Sequence, residues 1–258
     1  MTKTEKFVKP YSALADIYDI VMSDVDYETW ADYIDEIILN HHPDAESLLE
    51  LACGTGTVAL SLEELDCYRI TATDGSSDMI RIAQNKAQQV NSEIIFKKMN
   101  FLDLQFDHSF DIVYMIFDSI NYLHDQSELL RLHHDVKGIL NPNGLFIYDF
   151  TTPRNSRKAI EYLNRDTREV NDKIRYHRES SFDPIKCIHT NRFEITKTMD
   201  KTDQNEVLLN EIHQQKIYTL NQIQSLIEKT DFEIVKAYDG FQLKPAHKNS
   251  LRITMVLQ

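Results

Sequence analysis

The chain has 258 residues, 42% of them apolar, and carries 41 acidic against 28 basic side chains for a formal net charge of -13. That length suits one α/β domain with an insertion and a sizeable core, while the negative charge opposes broad contact with phosphate backbones and disfavours a nucleic-acid partner. No apolar stretch approaches the ~20 residues of a membrane span and the opening Met1-Thr-Lys-Thr-Glu-Lys6 lacks the apolar core of a signal peptide, so the expectation is a cytoplasmic protein without membrane attachment.

The N-terminal segment Pro10-Tyr11-Ser-Ala-Leu-Ala-Asp-Ile-Tyr18-Asp19 contains two tyrosines. It precedes an Asp26 N-cap and a run in which Trp30, Tyr33, Ile34, Ile37 and Ile38 recur at helical spacing. Trp30 and Ile37 are read as packing residues.

Leu48-Leu-Glu-Leu-Ala-Cys-Gly-Thr-Gly56 is an apolar run that ends on an acid, passes through small residues and enters Val58-Ala-Leu-Ser-Leu62. That is a strand, a glycine turn and a helix N-terminus, where Gly54 and Gly56 let a ligand approach the backbone. Two ligands fit such a turn. Gly54-Thr-Gly-Thr-Val-Ala59 matches the dinucleotide fingerprint, with Asp74 near the ~20-residue spacing of a ribose-binding acid. Glu50 argues the other way, because a carboxylate at the strand tip repels a pyrophosphate and attracts a cationic ligand.

Arg69-Ile-Thr-Ala-Thr-Asp74 is a second short strand, followed by a capped loop, Gly75-Ser-Ser-Asp-Met79. Ile94 to Leu104 contains Asn100, Phe101 and Asp103, the last read as a loop acid. Phe110 to Phe117 is a buried-strand run that stops at Asp118-Ser-Ile-Asn-Tyr-Leu123, in which Ser119 is read as turn chemistry and Asp118, Asn121 and Tyr122 as site residues. A helix over Ser127–Leu140 ends at Asn141-Pro-Asn-Gly144, and Leu145–Phe150 is a fifth strand.

From about Lys173 to Tyr218 the pattern turns β-like, in Ile174–Tyr176, Ile188–Ile195 and Glu211–Ile217, with a polar turn at Asp200–Asn205. This predicts a small antiparallel layer inserted after strand five. Thr219–Thr230 restores a helix, and Phe232–Tyr238 and Leu251–Leu257 supply the last strands.

On Glu50, the small residues at alternate positions Ala52, Gly54 and Gly56, and Asp74 after the second strand, the chain resembles the class I S-adenosylmethionine-dependent methyltransferases. Alanine stands here where the family usually has its first glycine. The resemblance implies a Rossmann-like α/β fold with a seven-stranded, mostly parallel sheet, a final antiparallel pair at its edge and the inserted layer as a β lid. It implies a division into 1–153 (N-terminal helical cover plus cofactor-binding core), 154–218 (lid) and 219–258 (remainder of the core). It also implies S-adenosylmethionine as cofactor and S-adenosylhomocysteine as product, with Glu50 facing the cationic end and Asp74 taking the ribose hydroxyls. Asn100 would accept from the adenine amino group, beside Phe101, and Met79 and Phe117 complete the pocket. Tyr11 and Tyr18 would cover the cofactor by folding back over it.

The phrase Asp118–Leu123 resembles small-molecule N-methyltransferases of the sugar-amine and glycine/sarcosine types, which points to a small amine as acceptor and to Tyr122, Asp118 and Asn121 as catalytic. Two alternatives stay open: a non-catalytic S-adenosylmethionine sensor or partner subunit, and a nicotinamide oxidoreductase. The expected assembly is a monomer or homodimer.

Cys53, Cys67 and Cys187 form no C-x-x-C pair and read as free thiols, without a disulfide scaffold or zinc site. The pairs His41-His42 and His133-His134 splay on a helix, so no metal is expected. Arg154, Arg157, Arg165, Arg168, Arg175, Arg178 and Arg192 crowd the inserted layer. Most are expected on solvated faces or beside Glu161, Asp166, Glu169 and Glu179, with one or two available for an acceptor's carboxylate or phosphate.

Overall fold

Helix starts are written locally into the chain. Asp26, Ser76, Thr152 and Thr219 each accept the backbone N–H three residues on, which satisfies one of the free donors of the turn that follows. In the computed structural model, which describes residues 3–200 and 203–258, the expected order of elements follows from such starts and from the apolar runs between them.

The chain begins with β1 (Lys3–Phe7), α1 (Tyr18–Val21), α2 (Tyr27–His41), β2 (Ser47–Leu51) and α3 (Thr57–Glu63). It continues through β3 (Arg69–Asp74), α4 (Ser77–Val90), β4 (Ile95–Lys98), β5 (Phe110–Met115), α5 (Gln126–Gly138) and β6 (Leu140–Thr151). Then come α6 (Pro153–Leu163), β7 (Asp166–Asn171), β8 (Ile174–Asp183), β9 (Ile188–Asp200) and β10 (Asp203–Lys216). It closes with α7 (Leu220–Ile227), β11 (Ile234–Asp239), β12 (Gln242–Pro245) and β13 (Arg252–Leu257).

The main sheet has the order β12-β11-β13-β6-β5-β2-β3-β4. Strands β2 to β6 run parallel, and β13 lies antiparallel between β6 and β11. Helices cover both faces, so β2 and β5 are almost wholly buried, as continuous apolar runs require in a parallel sheet. One face packs α2, α3 and α4 through Ile34, Ile37, Leu62 and Ala83, and the other packs α5 and α7 through Leu132, Val136 and Ile223. The chain winds outward from β2 to β4 and in the other sense from β5 to β6. A crevice therefore opens at the carboxyl ends of β2 and β5, where open α/β sheets bind ligands.

A second sheet has the order β1-β10-β9-β8-β7, antiparallel except for the parallel pair β1–β10. Leu14, Ile17 and Val21 of the N-terminal segment pack on Tyr176, Phe193 and Ile195 of this layer.

The architecture departs from expectation in several places. The main sheet has eight strands, not seven, because Gln242–Pro245 turns back on β11 as a further short strand. β12 therefore takes the edge in place of β11, and β13 lies inside the sheet between β11 and β6. The sequence reading also missed β1, which joins the second sheet, so the N-terminal segment is helical only in part. The strand expected at Leu145 starts at Leu140, its ladder to β5 shifting register between Phe110 and Ile112. The polar turn at Asp200–Asn205 lies partly outside the described residues.

Candidate active site

The glycine turn between β2 and α3 is held in left-handed backbone conformations, with φ of 56° at Ala52, 56° at Gly54 and 75° at Gly56. An L side chain resists that region, which accounts for a glycine being usual where Ala52 stands. A Cβ on Gly54 would meet nothing within 4 Å, so that backbone faces open space. Gly56 is different. A Cβ there would fall 2.6 Å from the Phe96 ring and 3.0 Å from Ala83, so Gly56 serves the packing of α3 against β4 and α4 and does not line the cavity.

A cavity of about 530 Å³ opens beside this turn, lined by every other residue expected to touch the cofactor: Tyr11, Tyr18, Glu50, Ala52, Gly54, Asp74, Met79, Asn100, Phe101 and Phe117. Glu50 is 2% exposed, and the hydroxyl of Tyr114 donates to it at 3.2 Å. Burial pushes its carboxyl up to about 8, since one long hydrogen bond does not replace lost hydration. Such a group calls for a cationic ligand. Asp74 accepts from Gly54 N at 2.9 Å and Ser76 N at 2.7 Å. Burial still raises its pKa, against the lowering by those two donors. They fix the carboxylate at the mouth of the turn. A buried acid, a pinned acid and a turn with open space beside Gly54 fit S-adenosylmethionine, whose sulfonium and ammonium are cationic and whose ribose is a diol. Asn100 is less free than expected, because its Oδ1 accepts from Leu102 N at 2.9 Å.

The N-terminal segment is tied down at both ends of the site. Buried Glu211 on β10 accepts from Tyr11 N at 2.8 Å, Leu14 N at 2.8 Å and Ala13 N. On the other side Ser76 Oγ donates to Tyr11 O at 2.7 Å, and Asp19 accepts from Thr55 Oγ1 at 2.6 Å and pairs with Lys86 at 2.6 Å. Tyr11 and Tyr18 thereby face the turn edge to face, their ring centroids 6.1 Å apart.

A second cavity of about 570 Å³ lies between the main sheet and the second one, and it shares Tyr11, Tyr18, Phe117 and Tyr122 with the first. Phe117 and Asp118 both have positive φ, 58° and 49°, unusual for such side chains. The kink turns the Phe117 ring onto Trp30 at 4.4 Å and delivers the 3-10 turn Ser119–Tyr122 to the crevice. Trp30 packs as expected, and it also borders this second cavity.

The three expected catalytic residues separate here. Tyr122 stands at the junction, its hydroxyl 2.6 Å from Tyr11 Oη and 3.0 Å from His213 Nδ1. His213 Nε2 lies 3.1 Å from Glu211. Because a carboxylate only accepts, Nε2 carries the proton and Nδ1 accepts from Tyr122. Asp118 lines the cavity but is engaged: Arg252 bridges it to Asp149, and Gln215 Nε2 donates to it. Burial raises Asp149 to about 6, against the pull of Arg252. Asn121 is fully buried and lines neither cavity; it donates to Lys216 O at 2.6 Å and accepts from Thr151 N at 3.1 Å. Its place is to join the 3-10 turn to β6 and β10, a correction to the sequence reading.

Sequence reasoning missed His213, Glu211, Gln215 and Arg252. Only Glu211 and His213 left a signal, two residues apart on a strand and so on one face. His133 and His134 splay on α5, His133 buried against Leu129 O and Tyr148 and His134 exposed beside Asp135, whereas His42 lies past the end of α2.

Residues 48–144 match the family described as a methyltransferase domain. A protein of Geobacillus sp. (strain WCH70), itself only provisionally assigned as a methyltransferase, is 25% identical over 95% of this chain and 98% of its own length. The dTDP-3-amino-3,6-dideoxy-alpha-D-glucopyranose N,N-dimethyltransferase of Streptomyces fradiae is 30% identical over 53% of this chain and 52% of its own. Among solved structures, an S-adenosylmethionine-dependent methyltransferase from Clostridium acetobutylicum superposes with a TM-score of 0.77 over 96% of this chain and 98% of its own, at 24% identity.

Proposed function

From the premise that this chain is a class I S-adenosylmethionine-dependent methyltransferase, we propose that it methylates the amine nitrogen of a small polar metabolite held in the second cavity. The observation that carries this reading is the meeting of the two cavities at the Tyr122 hydroxyl, with a buried histidine and glutamate behind it. The relative from Streptomyces fradiae, named for N,N-dimethylation of an amino sugar, supports nitrogen as the acceptor atom.

When bound, S-adenosylmethionine supplies a sulfonium methyl open to in-line attack. What the chain contributes is placement and proton management. Glu50, Asp74 and the turn at Gly54 hold the cofactor, Tyr11 and Tyr18 cover it, and Phe117 divides cofactor from acceptor. Strands β7 to β10 with α6 form the lid, residues 154–218, and residues 1–153, whose β1 adds a strand to the lid's edge, and 219–258 supply cover and core.

A protonated amine has no lone pair, so the pocket must take up a proton before nitrogen can attack. Tyr122 donates to His213 and accepts from Tyr11, which leaves an oxygen lone pair to receive an N–H of the acceptor. His213, oriented by Glu211, is placed to take the proton through that hydroxyl. Alignment and exclusion of water by the two layers supply much of the rest.

The test is product analysis together with two variants. With the right acceptor, the new methyl should appear on nitrogen, and His213→Asn and Tyr122→Phe should lower turnover about tenfold or more while cofactor affinity stays within about twofold. A methyl on oxygen, sulfur or carbon refutes the nitrogen assignment. Tight cofactor binding with no turnover across a broad amine panel would favour a cofactor sensor.

A further inference from the structure

Three arginines line the second cavity, Arg168, Arg178 and Arg252. Two are each bracketed by two acids: Arg168 by Asp24 at 3.1 Å and Asp166 at 3.2 Å, and Arg252 by Asp118 and Asp149. Arg178 is the exception. Among the described residues no carboxylate lies within ion-pair distance of it. Its Nε and Nη2 both donate to one neutral acceptor, Asn191 Oδ1, at 3.1 and 3.0 Å, and its guanidinium lies 5.1 Å from the Phe193 ring centroid.

The rest of the donor fork is open, and the nearest candidate acid is occupied. Asp166 is engaged by Arg168 and by the Tyr176 hydroxyl at 2.8 Å. A half-buried guanidinium without a counter-charge is costly, because the amide and the ring replace its hydration only in part. Burial lowers its pKa accordingly. The same charge reaches its neighbour His189, held below its ordinary value first by burial and then by Arg178.

Charge bookkeeping of this kind is expected when the counter-ion is the ligand. Asn191 fixes one side of the guanidinium, and its planar fork is shaped for two oxygens of an oxyanion.

We infer that Arg178 is an oxyanion subsite and that the acceptor is a small amine bearing a carboxylate or a phosphate. This rests on the reading that the second cavity receives the acceptor, and it extends that reading from the nitrogen to the opposite end of the molecule. An acceptor of that kind is anchored by its anion at β8 and presents its amine toward Tyr122. An uncharged amine would leave the arginine uncompensated and bind weakly.

The experiment titrates the protein saturated with S-adenosylhomocysteine with sodium phosphate and sodium acetate, against sodium chloride at matched ionic strength. Thermal shift and calorimetry are the readouts. A saturable response to at least one anion is expected, lost in Arg178→Met, weakened at least about fivefold in Arg178→Lys, and unchanged in Arg154→Met, whose exposed guanidinium contacts Asn249 O. Preference for phosphate identifies a phosphorylated amine, and preference for acetate an amino acid.

No saturable response in the unaltered protein overturns the inference, as does a response that survives in Arg178→Met. Circular dichroism and S-adenosylhomocysteine affinity establish that Arg178→Met is folded. If it is not, the Arg178→Lys titration decides, and an undiminished response there overturns the inference. Nothing is turned over in these titrations, so their failure leaves nitrogen methylation standing. A methyl found on another atom would likewise leave the anion site standing.

Discussion

Around the first cavity, Glu50, Gly54, Asp74 and Phe117 stand within a few residues of the ends of β2, β3 and β5, so hydrogen-bonded parallel strands position each of them. Around the second, Tyr122 meets His213 across 91 positions of sequence, and Asp118 meets Arg252 across 134. The first cavity is thus built by local geometry repeated along one sheet edge. The second cavity exists only because a second sheet and an interior antiparallel strand are brought against that edge. Its polar groups therefore hold the two layers together.

The sharpest way to break this contrast is to remove a group that bridges the layers. Arg252→Met leaves Asp118 and Asp149 facing one another with no cation between them, and should destabilise the protein by about 3–5 kcal/mol in chemical denaturation near pH 8. The loss should shrink as pH falls toward about 6, because without the lowering effect of Arg252 the Asp149 carboxyl takes up its proton above the parent's value and one of the two charges disappears. A variant no less stable than the parent would mean that the cluster does not hold the layers.

The first cavity should behave as a ligand site instead. Asp74→Ala removes the acceptor at the mouth of the turn and should weaken S-adenosylhomocysteine binding by about 1.5–3 kcal/mol in calorimetry, with a smaller effect on stability than Arg252→Met. An unchanged affinity would detach Asp74 from the ribose.

The smallest expected effect is a pH dependence that belongs to the first cavity alone. In the free protein Glu50 is held protonated up to about 8, whereas an unfolded glutamic acid ionises near ~4.3. Folding therefore binds a proton in that window, and the group's contribution to stability is lost as pH rises through it. Glu50→Gln should raise the melting temperature at pH 8.5 while lowering cofactor affinity. With Glu50 intact, a cationic ligand favours the carboxylate, so affinity should climb from pH 6 to 8 by at most about tenfold per unit, with proton release on binding. A flat profile over that range would show that Glu50 does not answer to the ligand's charge.

The fate of individual residues shows what could be read in advance. The placing of Glu50 and Asp74 at strand ends was legible because an apolar run followed by a polar tip marks the end of a buried strand. In a parallel sheet those ends share one edge. Gly56 was legible as a glycine but not in its role, since only the approach of the Phe96 ring shows that packing, not ligand access, forbids a Cβ. Asn121 and Asp118 sit in the right turn, yet their partners Lys216, Thr151 and Arg252 belong to other elements, and those partners assign them to holding the layers.

The sequence by itself determined the parallel core, its glycine turn and the acids at the strand ends beside it, because strand burial, helix capping and left-handed turns are decided by neighbours in the chain. The tertiary structure alone decided the count of eight strands, the capture of β1 by the second sheet, the path from Tyr122 through His213 to Glu211, and the isolation of Arg178. Those depend on which side chains meet across the crevice. Such meetings are set by the pairing and packing of distant segments, whose alternation fixes which face a residue occupies but not what stands opposite it.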